Sequence, residues 1–119
     1  MSMKTIIESE KRTPVVGEYD VVVAGGGPAG FSAAVTAARE GARVCLVEQC
    51  GGVGGVATSG LMSHWTGNTR GGIYEEILDR SADGPMRQTI HPEKLHGVLL
   101  EMLLEAGVEI YEYAPSFLH

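Results

Sequence analysis

Cysteine is scarce: Cys45 and Cys50 are the only two in 119 residues. So few thiols exclude a disulfide-stapled scaffold and a cysteine-rich metal framework. Their close spacing does not make them a bridge. Cys45 falls inside an apolar, strand-like run, where extended backbone sets the two Cα atoms roughly 16 Å apart. A disulfide needs them within about 7 Å. Cys45 therefore reads as a small core residue and Cys50 as a free thiol, which suits a reducing compartment. Basic residues are also short, with nine Lys and Arg against fifteen Asp and Glu and a net charge of −6. Without a Lys/Arg cluster, the chain does not read as a general nucleic-acid binder. Met1–Gly17 carries Lys4, Glu8, Glu10, Lys11 and Arg12 and has no apolar core long enough for a signal peptide. The charge-free stretch Val21–Ala38 is broken by Gly25, Gly26, Gly27, Pro28 and Gly30, where a bilayer helix needs regular hydrogen bonds. No membrane association is expected, and the cytoplasm is the expected location. Metal ligands at matching spacing are missing too, because His91 and His96 point to different faces of one helix. What remains is an ordinary soluble composition, 44% hydrophobic and 20% charged, able to bury one modest core.

The chain is organised around Tyr19–Glu48, YDVVVAGGGPAGFSAAVTAAREGARVCLVE. Val21, Val22, Val23 and Ala24 form a continuous apolar run suited to a strand buried on both faces. Gly25-Gly26-Gly27-Pro28-Ala29-Gly30 follows and matches G-x-G-x-x-G at Gly25, Gly27 and Gly30. Gly25 permits the tight turn, Gly27 lets a diphosphate meet bare backbone, and Gly30 lets the next helix lie close to the sheet. Pro28 suits the helix start because it lacks an N–H that would have no partner there. Gly30, Ala33, Ala34, Ala37, Ala38 and Gly41 form a small-residue face at helical spacing. The first turn presents unpaired N–H groups and the positive end of the helix dipole, an anion site. Gly41 ends the helix, Arg43–Val47 forms the second strand, and Glu48 stands at its tip. A carboxylate there can accept both hydroxyls of a ribose. A lone glycine motif is weak evidence, but the flanking strand, helix and acid together specify a dinucleotide site.

After Glu48, Gln49–Gly60 is too rich in glycine for a regular element. It reads either as a flexible connector or as a second cofactor-wrapping loop, with its N–H groups and the Thr58 and Ser59 hydroxyls facing phosphate or ribityl oxygens. Its position directly after the acid favours the loop. His64 beside Trp65 offers a candidate acid–base residue, although a surface histidine beside a packing tryptophan is the commoner arrangement. A short helix is predicted over Ile73–Arg80 and broken by Ser81–Pro85. Pro92 opens an amphipathic helix whose stripe is Leu95, Val98, Leu99, Met102 and Leu103, closed by Gly107. Val108–Tyr113 alternates as a third strand, and Pro115 stops it.

Four motifs carry a family resemblance: GEYDVVVAGGGPAG (Gly17–Gly30), AAREGARVCLVEQ (Ala37–Gln49), GGVATSG (Gly54–Gly60) and HPEKLHGVLLEMLLEAGVEI (His91–Ile110). With them the chain resembles flavin-dependent oxidoreductases of the glutathione-reductase-like class, and within it the bacterial FAD-dependent oxidoreductase family. The resemblance implies FAD as cofactor, with Gly25, Gly27, Ala29 and Gly30 at its pyrophosphate around Pro28. It implies Glu48 on the adenosine ribose, Gln49 beside the adenine, and Gly55, Ala57 and Thr58 along the pyrophosphate and ribityl chain. The substrate, a small molecule, is not indicated, and neither is a catalytic residue.

The expected fold is α/β: a Rossmann-like FAD/NAD(P)-binding β-α-β unit with a three-stranded parallel sheet, incomplete relative to the family fold. Residues 1–18 are expected as a polar leader and 19–119 as the N-terminal part of the FAD-binding domain. Family members are several times longer, so the expectation is a truncated or split protein whose first strand lacks a neighbour. Two other readings stay open: a non-catalytic module sensing NAD or a similar nucleotide, and a fragment that completes a flavoenzyme in trans with a polypeptide carrying the missing half.

Overall fold

A computed structural model of the chain describes residues 1–114. Strand β1 (Val21–Ala24) runs into helix α1 (Pro28–Arg39), which returns to strand β2 (Val44–Val47). A 3-10 turn follows at Gly55–Ala57, then α2 (Gly72–Ser81), α3 (Pro92–Ala106) and β3 (Glu109–Tyr111). The three strands form one parallel sheet in the order β1-β2-β3. Parallel neighbours need a crossover, and α1 and α3 supply the two crossovers here. The expected α/β fold with a three-stranded parallel sheet is present. Pro115, expected to stop the third strand, lies outside the described residues.

Register brings the ends of β1 and β2 side by side. Val21 pairs with Val44 and Ala24 with Val47, and the Gly25 N–H then donates to the Val47 carbonyl at 2.7 Å. Residues that leave the two strands, Gly25 onward and Glu48 onward, therefore emerge together.

The core lies between the sheet and the paired helices α1 and α3. The predicted stripe of α3 is fully enclosed, with Leu95, Val98, Leu99, Met102 and Leu103 packed against Phe31, Ala34, Val35, Val44 and Leu46. Gly107, with φ of +83°, ends α3 in the left-handed conformation that glycine adopts without a Cβ penalty. Arg39 on α1 makes a bidentate pair with Glu76 on α2, and Arg80 joins Glu76 to Glu105 on α3. These pairs are half-exposed, so they align the helices more than they stabilise them.

Two expectations are corrected. The first strand is not buried on both faces: Val22 is 60% exposed, while Val21 and Val23 are half-buried against the core. Side chains alternate across a strand, and the helices cover only one face of this edge strand. All four residues of β2 are buried instead, because Cys45 and Val47 pack with Tyr19, Tyr111 and Ala114 on the far face. On α1, Ala33 is exposed and does not belong to the packed face, which Gly30, Ala34, Ala37 and Ala38 share with the bulkier Phe31 and Val35. Residues 1–18 form no helix or strand and are exposed throughout. Among the described residues no helix is long and apolar enough to cross a membrane.

Candidate functional site

The turn out of β1 is built from backbone rather than side chains. Gly25 takes φ of +99°, a conformation closed to most residues, and swings the chain over the end of the sheet. Gly27 caps α1, and its carbonyl accepts the Phe31 N–H at 2.8 Å. Pro28 occupies the first turn and has no N–H to satisfy. Among the described residues the N–H groups of Gly27, Ala29 and Gly30 have no acceptor. No acidic residue sits in the first turn of α1, so the positive end of its dipole is not neutralised. A Cβ placed on Gly25 or Gly27 would meet nothing within 4 Å. Space and donors coincide there, which suits a diphosphate.

Gly30 does different work. A Cβ at this position would overlap the Gly25 carbonyl oxygen and press on Val23. The missing side chain lets α1 start directly against the turn.

Glu48 is only 7% exposed, an unusual state for a carboxylate. Two backbone donors make it possible: the Gly26 N–H reaches Oε2 at 2.6 Å and the Cys50 N–H reaches Oε1 at 2.9 Å. Each oxygen keeps a lone pair for a further donor, such as a sugar hydroxyl. Gln49, next in the chain, is exposed. The Glu48 N–H donates to the Tyr111 carbonyl at 2.8 Å and the Glu48 carbonyl accepts from Ala114 at 3.2 Å, tying β2 to the end of β3.

The second glycine-rich segment leans on the first. The Gly54 N–H donates to the Gly26 carbonyl at 2.8 Å, and a Cβ on Gly55 would stand 3.1 Å from the Gly27 Cα. Gly55 thus borders the turn. Ala57 puts its methyl in the core, and its N–H is bonded to the Gly54 carbonyl. The Thr58 hydroxyl differs from expectation: it points inward and donates to the Val53 carbonyl at 2.7 Å. That carbonyl belongs to a fully buried residue and needs a donor, which Thr58 provides. Ser59 is exposed.

A cavity of about 330 Å³ opens beside Glu48, bounded by Cys50, Gly52, Gly55, Val56 and Ser59. Another of about 230 Å³ lies past the mouth of α1, between Pro28, Phe31, Gly54, Trp65 and Tyr74. Trp65 meets Tyr74 edge-on there, with ring centres 5.9 Å apart. His64 lines neither cavity; its exposed ring reaches the neighbouring Ser63 hydroxyl at 3.0 Å. A larger cavity of about 580 Å³, between Gly67–Arg70, α2 and Pro85–Gln88, shares no residue with the turn. Gly26, whose N–H donates to Glu48 and whose carbonyl accepts from Gly54, is not singled out by spacing. A third consecutive glycine in the turn is its only trace in the sequence. Among the described residues no group of three or more His, Cys, Asp or Glu is placed to hold a metal ion.

Comparison with known proteins points the same way. The soluble pyridine nucleotide transhydrogenase of Chromohalobacter salexigens is 52% identical over 50 residues, which make up 42% of this chain and 10% of that protein. A dihydrolipoyl dehydrogenase of Trypanosoma brucei brucei is 50% identical over 42 residues, 35% of this chain and 9% of that one. The chain thus spans about a tenth of the length of these curated relatives. Among solved structures, thioredoxin reductase of Lactococcus lactis superposes with a TM-score of 0.53 at 28% identity, over 80% of this chain and 25% of that one. The THI4 structure of Thermovibrio ammonificans shares the fold, with a TM-score of 0.55 at 22% identity over 79% of this chain and 38% of that one. The family described as FAD dependent oxidoreductase matches residues 20–114, from the start of β1 to the end of the described chain. With that match over a turn whose free donors suit a diphosphate, the chain belongs to the FAD-dependent oxidoreductase family, and FAD is its cofactor.

Proposed function

We propose that this chain is the cofactor-holding part of a flavin-dependent oxidoreductase, with the β1–α1 turn gripping the FAD pyrophosphate and Glu48 the adenosine ribose. One observation carries the reading: three backbone N–H groups, on Gly27, Ala29 and Gly30, lack acceptors beside space left open by bare glycine. Gly25 shapes that space and Pro28 starts the helix that polarises it. Gln49 extends from Glu48 toward the base, and Gly55 closes the turn from above, with Ala57 and Thr58 holding the second loop in place.

FAD, when bound, supplies the redox chemistry through its isoalloxazine ring, while the protein binds and orients it. This chain's share is electrostatic and geometric. The dipole of α1 favours the diphosphate charge, and the buried carboxylate of Glu48 favours hydroxyl donors and disfavours an extra phosphate. The small-molecule substrate and the acid or base that serves it belong to residues beyond those assigned. The open edge of β1 with its exposed Val22 supports a further strand at that position, from a polypeptide that completes the enzyme. Two free thiols, Cys45 buried and Cys50 exposed, support a cytoplasmic location.

Removing the Glu48 carboxylate tests the ribose assignment. Glu48→Gln keeps the size and an acceptor for one N–H, but places a donor where the second N–H points. FAD affinity is expected to fall by about 1–3 kcal/mol, the scale of a lost hydrogen bond to a charged group. Calorimetric titration with FAD measures it, and unchanged affinity removes the ribose role.

A further inference from the structure

Tyr113 has an unusual combination of properties. Its φ is +53°, a left-handed conformation that bulky residues rarely adopt. Its side chain is nevertheless 76% exposed. Among the described residues its hydroxyl has no partner and its ring stacks on no other ring. Packing of the ring into the core therefore does not explain the strain.

Location does. The Tyr113 N–H donates to the Cys50 carbonyl at 3.1 Å, and the next N–H, of Ala114, donates to the Glu48 carbonyl at 3.2 Å. These bonds fasten the loop after β3 to the loop after β2, within two residues of the buried carboxylate. The phenol then lies against the bare backbone of Gly51, where a Cβ would overlap Oη and Cζ. A ribose held by Glu48 would carry its base one glycosidic bond away, and this ring stands on the loop fastened to the residues that follow Glu48. Aromatic faces hold nucleobases by stacking, and an exposed ring fixed from behind by backbone is ready to do so.

We infer that the Tyr113 ring is the surface on which the adenine of the cofactor stacks, an inference that rests on Glu48 being the ribose acid. The test is calorimetric titration of the protein with FAD and with ADP, using Tyr113→Phe, Tyr113→Leu, Tyr113→Gly and Gly27→Val. Glycine accepts φ of +53° without strain, so Tyr113→Gly removes the ring without endangering the fold. Tyr113→Phe is expected to match the parent, while Tyr113→Gly weakens both ligands about 10-fold, as for a lost base stack. Leucine fills similar space without a π face, so Tyr113→Leu is expected to stay as weak as Tyr113→Gly. Recovery with leucine would make Tyr113 a packing residue and overturn the inference. Unchanged binding in Tyr113→Gly with loss in Gly27→Val would overturn it too and leave the cofactor site standing. Unchanged FAD binding in both variants would remove the site and the inference together.

Discussion

Gly30→Ala is expected to destabilise the protein by about 3 kcal/mol or more, a large fraction of a domain's total stability. One methyl group produces this effect because of where it lands. Its carbon overlaps the Gly25 carbonyl oxygen, a backbone atom held by the turn and unable to rotate away. Relief requires α1 to lift off the end of β1, and Phe31, Ala34 and Val35 leave their places in the core with it. Helix propensity works in the opposite direction, since alanine is preferred to glycine by about 1 kcal/mol. The clash outweighs that gain. Thermal unfolding followed by circular dichroism should show a drop on the order of 10 °C. A melting temperature equal to the parent's would mean that α1 does not start against the turn as described.

Gly27→Val separates binding from folding. Gly27 has φ of −66° and ψ of −178°, ordinary extended backbone, and its Cβ direction is open. Valine therefore fits the folded chain, and its β-branched shape is at ease in that conformation. The isopropyl group occupies the volume beside the free N–H groups, where the diphosphate is proposed to lie. FAD affinity is expected to fall more than about 100-fold, beyond 2.7 kcal/mol or so, with the melting temperature of the ligand-free protein unchanged. Flavin fluorescence titration checks the first outcome and circular dichroism the second. Wild-type affinity in this variant would move the diphosphate elsewhere.

These two glycines also show what sequence can and cannot reveal. The pattern of glycines, the stripe of α3 and the acid after β2 are local or periodic features, and each element they predicted is present within a residue or two. Layer coverage is different in kind. Whether Val22 meets protein or solvent depends on which face of the sheet the helices take, and four consecutive apolar residues do not say. Hydroxyl direction is equally non-local: Thr58 turns inward because the Val53 carbonyl, five residues earlier, is buried without another donor. Spacing marked Gly25, Gly27 and Gly30 but passed over Gly26, whose N–H finds Glu48 only after β1 and β2 have come into register. Tyr113 carried no signal at all, since its backbone conformation is set by loops from two strands.

The bonds from Gly26 and Cys50 to the Glu48 carboxylate belong to the chain itself. They fix the spacing between the helix mouth and the sugar acid as part of folding, so association with a dinucleotide loses little conformational entropy at this corner. The site is in this sense pre-organised, and its affinity should respond to mutations that loosen Glu48 even where the ligand-facing atoms remain in place.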